Sequence, residues 1–419
     1  MPSDVSGVPA LLDLRVTALS AVLDLVRSGR AATRPEIERH TGLGRKLIAQ
    51  RVDELVAAGL LAEGAFGPST GGRAPRQLQF VADAGHLLVA HYGATRVGAA
   101  LADLTGKVID LVDREHPIAD GPEPALDAVF ELWDTMLKRR PADRPLWGAG
   151  IGVPGPVEFS TARLVSPPIM PGWHGFGIRE KIQRRYGIPS WVDNDVNAMA
   201  LGELRAGEAQ GAGDFIYLKI GSGIGAGLVT RGALHRGAQG VAGDVGHTTT
   251  REPWGVTCRC GKTDCLEAVA GGAALVKDVA AAVARGESPV LADRGDLTVD
   301  DLRYAAEHGD RVTTELLSRS GRLVGEMLAG VVNLFNPSLI IIGGHVAEAG
   351  DSVLAAVRQA IYDQSLPLAT RDLRIVRSMR SDMVGVTGSA FTAIDELFRP
   401  ANLAAWIDLG SPAGLHANP

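Results

Sequence analysis

The run Trp147-Gly148-Ala149-Gly150-Ile151-Gly152-Val153-Pro154-Gly155-Pro156 decides the class of fold. Trp147–Val153 carries no charge and closes on a Pro-Gly-Pro turn, the mark of a strand covered on both faces. Its neighbours repeat the theme. His86–Tyr92, Val97–Asp103 and Val108–Val112 are three successive strand candidates, followed by a helix near Pro124–Lys138. Beyond the run, a helix near Gly177–Tyr186 leads to Trp191-Val192. A helix near Val196–Ala206 leads to the strand Phe215–Ile220, and the apolar run Leu339–Ile342 comes much later. Such alternation predicts an α/β body with mixed sheets. Two glycine-rich strand–turn stretches lie far apart, consistent with two similar halves around a cleft.

Upstream of His86 the pattern is helical. Leu11, Leu12, Leu19, Val22, Leu23 and Val26 recur at helical spacing, and Gly29 stops the run. Thr33-Arg34-Pro35-Glu36 is a capping-box pattern opening a short helix that ends at Thr41-Gly42-Leu43. A third helix, from about Arg45 to Ala58, has the expected apolar face Leu47, Ile48, Val52, Leu55 and Val56, which turns Arg45, Lys46, Ala49 and Gln50 outward. Helix, tight glycine turn and amphipathic helix with a basic outer face make the helix-turn-helix pattern. Leu60–Ala62 and Gln77–Val81 then read as strands bracketing the basic loop Pro68–Arg76, either the wing of a winged helix or a plain linker. The expected DNA contacts are Arg45, Lys46, Gln50 and Arg51 on the third helix, with Arg73 and Arg76 on the wing.

Composition agrees. The 419 residues are 46% hydrophobic and 21% charged, enough for two to four domains at roughly 100–200 residues each. This excludes a disordered polymer, a disulfide miniprotein and a collagen-like fibre. No run of 18 or more uncharged apolar residues exists, so no membrane-spanning helix is expected. Asp4 and Asp13 without a basic start before an apolar core make no secretory signal, and the expected location is the cytoplasm. The net charge of −6 is uneven. Residues 1–82 hold ten Lys/Arg against eight Asp/Glu, a net of +2, and the remainder carries −8. Between Arg27 and Arg51 seven bases face two acids. A basic head on an acidic body is the footprint of nucleic-acid contact, although a solvated charged face has the same composition.

All three cysteines lie in Cys258-Arg259-Cys260-Gly261-Lys262-Thr263-Asp264-Cys265. Three thiols in a reducing compartment cannot pair completely. Zinc takes four tetrahedral ligands, commonly three Cys and one His, and His247 is placed to be the fourth. A structural Zn2+ held by His247, Cys258, Cys260 and Cys265 is therefore expected. Asp193-Asn194-Asp195-Val196-Asn197 stands at a strand end directly before a helix, where α/β sheets bind ligands. There an Asp can accept a proton or hydrogen bond from a sugar hydroxyl, or simply cap the helix. Gly221-Ser222-Gly223-Ile224-Gly225-Ala226-Gly227 and Gly343-Gly344 could cradle phosphate through backbone N–H groups, or be tight strand connections.

Taken in order, Ile151–Pro156, Asp193–Asn197, Gly221–Gly227, Ala242-Gly243-Asp244-Val245-Gly246-His247, Cys258–Glu267 and Ile341–Gly344 resemble the ROK family (repressor, open reading frame, kinase), over about residues 85–395. The N-terminal segment, with Gly71-Gly72-Arg73, resembles the winged helix of its repressor branch. The resemblance implies an actin-like, sugar-kinase (ribonuclease H-like) two-lobed body with a sugar site between the lobes, preceded by a winged helix-turn-helix domain. The expected division is a head at 1–82, a first lobe at 83–194, a second lobe with the zinc motif and C-terminal helices at 195–399, and a tail at 400–419.

Residue by residue, the resemblance makes Asp195 the catalytic base if the body is a kinase, and Asn194, Asp195, Asp244, His247 and Glu267 sugar contacts. Gly93, Thr95, Gly221, Ser222, Gly223, Gly225, Gly343 and Gly344 become a vestigial or weak nucleotide site. Asp244 stands where the family usually has Glu, which retracts the carboxylate by roughly 1.5 Å. His91-Tyr92-Gly93-Ala94-Thr95 replaces the kinases' Asp-x-Gly-Gly-Thr loop, losing a metal-organising carboxylate and crowding the turn at Ala94. Ile169 replaces a usual sugar-facing Asn. The reading is a sugar-responsive regulator, a repressor, that binds operator DNA as a homodimer or homotetramer, with no membrane partner. The alternative is an ATP/Mg2+-dependent hexose kinase with an accessory DNA-binding head.

Overall fold

The computed structural model describes residues 14–66, 75–140, 144–379 and 381–415, the side chains of 381 and 382 excepted. Leu11, Leu12 and the wing residue Arg73 lie outside the described residues. The head holds α1 (Leu14–Arg27), α2 (Arg34–Thr41), α3 (Arg45–Ala57) and an antiparallel pair, β1 (Leu61–Phe66) with β2 (Arg76–Phe80). Gly29 ends α1 at a φ of +71° and Gly42 caps α2 at +68°, conformations that cost glycine little. The capping box is altered. Thr33 Oγ1 accepts the Glu36 N–H (3.4 Å), but the Glu36 carboxylate accepts the Ala32 N–H at 2.7 Å.

The first lobe follows as β3 (His86–Tyr92), β4 (Arg96–Ala102), β5 (Val108–Glu115), α4 (Pro122–Arg139), β6 (Leu146–Val153), the two-residue strands β7 (Val157–Glu158) and β8 (Arg163–Leu164), α5 (Ile178–Tyr186) and β9 (Ser190–Asn194). After it come α6 (Asp195–Ala206), β10 (Phe215–Ile220), β11 (Ile224–Thr230), β12 (Ala233–His235), α7 (Leu266–Ala270), α8 (Gly272–Ala284), α9 (Val299–Glu307), α10 (Arg311–Phe335), β13 (Leu339–Gly343), α11 (His345–Glu348), α12 (Asp351–Gln364), α13 (Pro367–Thr370), β14 (Arg374–Arg377), α14 (Ser381–Leu397) and α15 (Pro400–Leu409).

Two five-stranded sheets carry one topology twice. Their orders are β5-β4-β3-β6-β9 and β12-β11-β10-β13-β14. In each, three antiparallel strands are extended by two parallel ones. This duplication bears out the expected actin-like, two-lobed body. The helices α6 and α14 lie between the sheets. Gly225 and Gly227 interrupt β11 because α6 runs close over it. A Cβ at Gly227 would stand 2.5 Å from that of Ala200. A strand with glycines at its packing positions does not announce itself by hydrophobic alternation.

Residues 400–415, which carry no readable functional signal in sequence, form α15 and a closing turn. They join head to body. Trp406 is buried against Trp147 (centroids 5.1 Å apart) and donates its indole N–H to Leu397 O. Arg15 on α1 pairs with Asp408 (2.7 Å) and Glu54 (3.1 Å). One hydrophobic cluster therefore runs from Leu19 and Leu55 in the head through Trp147 and Trp406 to α14 and α6.

Candidate functional site

A cavity of about 440 Å³ opens between the sheets, where β3, β6, β9, β10 and β13 end. The C-terminal edge of parallel strands is the usual ligand-binding place of such folds. Asn194, Asp195, Asp244, His247 and Glu267, the five expected sugar contacts, all line it. Asn194 is also the N-cap of α6. Its Oδ1 accepts the N–H groups of Val196 (2.9 Å) and Asn197 (3.2 Å), and its amide donates to Gly155 O (3.0 Å). The capping and ligand-facing readings thus meet in one side chain.

Asp195 is buried, and Lys219 Nζ donates to its Oδ2 at 2.6 Å. Behind it Asp193 Oδ2 accepts from Arg236 Nε at 2.8 Å, and Arg236 lies 3.9 Å over the Phe159 ring. Asp193 Oδ1 takes the Asn197 amide at 3.0 Å. Lys219 and Arg236 escaped the sequence reading. Lys219 left a signal, as the one charge in the apolar strand Phe215–Ile220. Arg236 left none, since it sits in an ordinary polar loop.

The glycines divide. Gly93, Thr95, Gly221, Ser222, Gly223, Gly225 and Gly344 line the cavity. The Gly221–Gly223 turn is the tight hairpin between β10 and β11, with Gly221 N–H bonded to Gly223 O at 2.9 Å. Gly223 makes room for Glu267, whose Oε2 accepts the Ile224 N–H at 3.1 Å. Gly343 is not among the cavity-lining residues. A Cβ there would lie 2.1 Å from Tyr217 Oη, so the glycine makes room for a buried tyrosine. Ala94 is not among the residues at positive φ, so its backbone does not need glycine's freedom at this turn.

His91 stands where the kinase loop has Asp. It lines the cavity beneath α14, with Nδ1 3.4 Å from Ser389 Oγ, and a Cβ on Gly385 would fall 2.3 Å from Nε2. Burial lowers its pKa to about 4, opposed by Asp195 and assisted by Lys219, so the ring is neutral at pH 7.

At one end of the cleft, His247, Cys258, Cys260 and Cys265 bring their ligand atoms within 4.8 Å of one another. His247 Nδ1 lies 3.6 Å from Cys258 Sγ, and Cys260 Sγ 3.6 Å from Cys265 Sγ. A tetrahedron with metal–sulfur bonds of about 2.3 Å has edges of about 3.8 Å, so the set fits a metal ion of zinc's size and softness. The Nε2 of the same His247 points the other way, 4.0 Å from Asp244 Oδ1. One imidazole therefore touches both the cysteine cluster and the cavity wall.

In the head, Arg45, Lys46 and Gln50 are exposed on α3. Arg45 is steadied by Glu38 (3.1 Å), and Arg76 by Glu63 (2.8 Å). Arg51 departs from expectation. It is buried, only 8% exposed, and bonded to Glu54 at 3.0 Å, whereas Val56 is exposed. The buried stripe is 48, 51, 52 and 55, the i, i+3, i+4, i+7 face, and Arg51 falls on it.

Two sheets of one topology around a cleft of this size define an actin-like, sugar-kinase-type body. Residues 89–396 match the model of the ROK family, and the chain belongs to that family. It is 31% identical to the xylose repressor of Caldicellulosiruptor bescii over 90% of this chain and 95% of that one. A solved ROK family transcriptional regulator, described as a homolog of the E. coli MLC protein, superposes with a TM-score of 0.82. The pair share 26% identity over 94% of this chain and 99% of the other. A ROK glucokinase from Streptomyces griseus, solved with glucose and AMPPNP, is 29% identical with a TM-score of 0.64. It covers 73% of this chain and 98% of its own.

Proposed function

We propose that the protein is a sugar-responsive transcriptional repressor of carbohydrate-metabolism genes. The observation that carries this reading is the extent of similarity. The xylose repressor and the ROK regulator match through the helix-turn-helix head, while the glucokinase match spans only about three quarters of the chain. In this reading the head places α3 in a major groove, with Arg45, Lys46 and Gln50 reading bases and Arg73 and Arg76 on the backbone or minor groove. Two heads in a dimer or tetramer would read inverted half-sites about one helical turn apart. The −8 body repels DNA and leaves contact to the head. His247, Cys258, Cys260 and Cys265 hold a structural zinc, which ties the loop after His247 to the cavity wall. Among the described residues no helix is long and apolar enough to cross a membrane, and a regulator of this kind works in the cytoplasm.

Fluorescence anisotropy on promoter DNA from the protein's own locus tests the reading. Expected is tight binding that weakens steeply with salt, and in Arg45→Ala/Lys46→Ala weakens by about 10-fold or more. Binding that ignores both salt and these substitutions would overturn it. Asp195 and the Gly221–Gly223 turn favour an ATP-dependent hexose kinase as the second reading. His91 opposes it, because no carboxylate stands at the head of the phosphate loop to organise magnesium.

A further inference from the structure

Lys219 has no part in the motifs that define the site, yet its ammonium reaches into the cavity and bonds Asp195. Its position is built. The strand β10 ends there, and its side chain passes the Gly221 turn, where a Cβ would lie 3.2 Å from Lys219 Cε. The pairing uses Asp195 Oδ2 and one of three N–H donors. Among the described residues Asp195 Oδ1 remains an acceptor and Lys219 keeps two donors, side by side at the cavity wall. An acceptor and a donor so spaced match two neighbouring hydroxyls, one giving and one receiving a hydrogen bond.

The rest of the lining limits what such a ligand carries. Among the described cavity residues the other Lys or Arg is Arg96, committed to Asp113 (2.8 Å) and Glu115 (3.2 Å). Asp244 and Glu267 face the same space with no Lys or Arg ion pair among the described residues. Among the described residues a phosphate dianion would meet no uncommitted Lys or Arg and at least two carboxylates, an uncompensated cost at the cavity wall. We propose that Lys219 is the specificity-determining residue of this cleft: with Asp195 it reads a vicinal diol of an uncharged sugar, and the site rejects the phosphorylated form. This rests on the sugar-binding reading above and names its ligand class.

Calorimetric titration of the full-length, zinc-loaded protein with D-xylose, D-glucose, N-acetylglucosamine and the 6-phosphates of the last two tests it. One uncharged sugar binds, and no 6-phosphate binds within about 10-fold of it. Lys219→Met weakens that sugar by about 10- to 100-fold. Its monodeoxy analogue at the hydroxyl that Lys219 reads, already weak on the native protein, loses little further. Lys219→Met leaves Asp195 buried without its partner, so Asp195→Asn/Lys219→Met, which removes both charges, controls for folding through its melting temperature. Unchanged affinity in a folded Lys219→Met, or equal loss for the sugar and every deoxy analogue, overturns the role of Lys219. Tighter binding of a 6-phosphate overturns the ligand class while leaving the sugar-binding reading standing. If no compound in the set binds, the sugar-binding reading falls and this proposal with it.

Discussion

At the residue scale, the site was legible wherever chemistry demands a rare residue type, and obscure wherever it uses a common one. Three cysteines beside a histidine, or Asp-Asn-Asp before a helix, declare themselves. Lys219, Arg236 and Arg51 are ordinary residues whose role depends on what folds against them. Arg51 shows the physical reason: five apolar residues suggested one helical face, but packing chose the stripe through 51 and left Val56 outside. His91 carries a prediction of its own. Its folded pKa of about 4 lies below the ordinary 6.5 of an unfolded chain. Between those values the unfolded state binds a proton that the folded state refuses, so stability present at pH 7 is lost as pH falls through this window. Urea unfolding at pH 7 and pH 4.5 is expected to lose about 2 kcal/mol less in His91→Asn than in the native chain. Equal losses in both would show that His91 takes up a proton freely in the fold.

At the scale of elements, period and capping located the head helices and the buried strands, because each had to satisfy its own backbone and bury its own face. Elements whose form depends on a distant partner stayed hidden. Glycine-rich β11 is a strand because α6 covers it, and α15 matters because its Trp406 fills the space beside Trp147. Truncating a buried tryptophan costs about 3–5 kcal/mol. Trp406→Ala is therefore expected to lower the melting temperature and to raise hydrogen exchange in α15 and, through the Arg15–Asp408 pair, in α1. Protection of α1 unchanged from the native protein would mean that the head stands without its C-terminal support.

At the scale of the whole molecule, a duplicated sheet, a sugar-sized cleft and a small helical head share one chain. Their order was readable from strand–helix alternation and a charge step near residue 82. The seam between them was not, because α14 and α15 return from the end of the sequence to close it. A ligand can act on DNA binding only by preferring one arrangement of lobes and head over another. The continuous core from cleft to head supplies a physical route for that preference. The most direct measurement is an anisotropy titration of the full-length protein on its own promoter DNA, across the panel of uncharged sugars, with ATP and magnesium in parallel wells read for ADP. One sugar is expected to shift the DNA affinity by about 5- to 150-fold without ADP release. Sugar-dependent ADP release with DNA affinity unmoved would contradict the account and make the body an enzyme first.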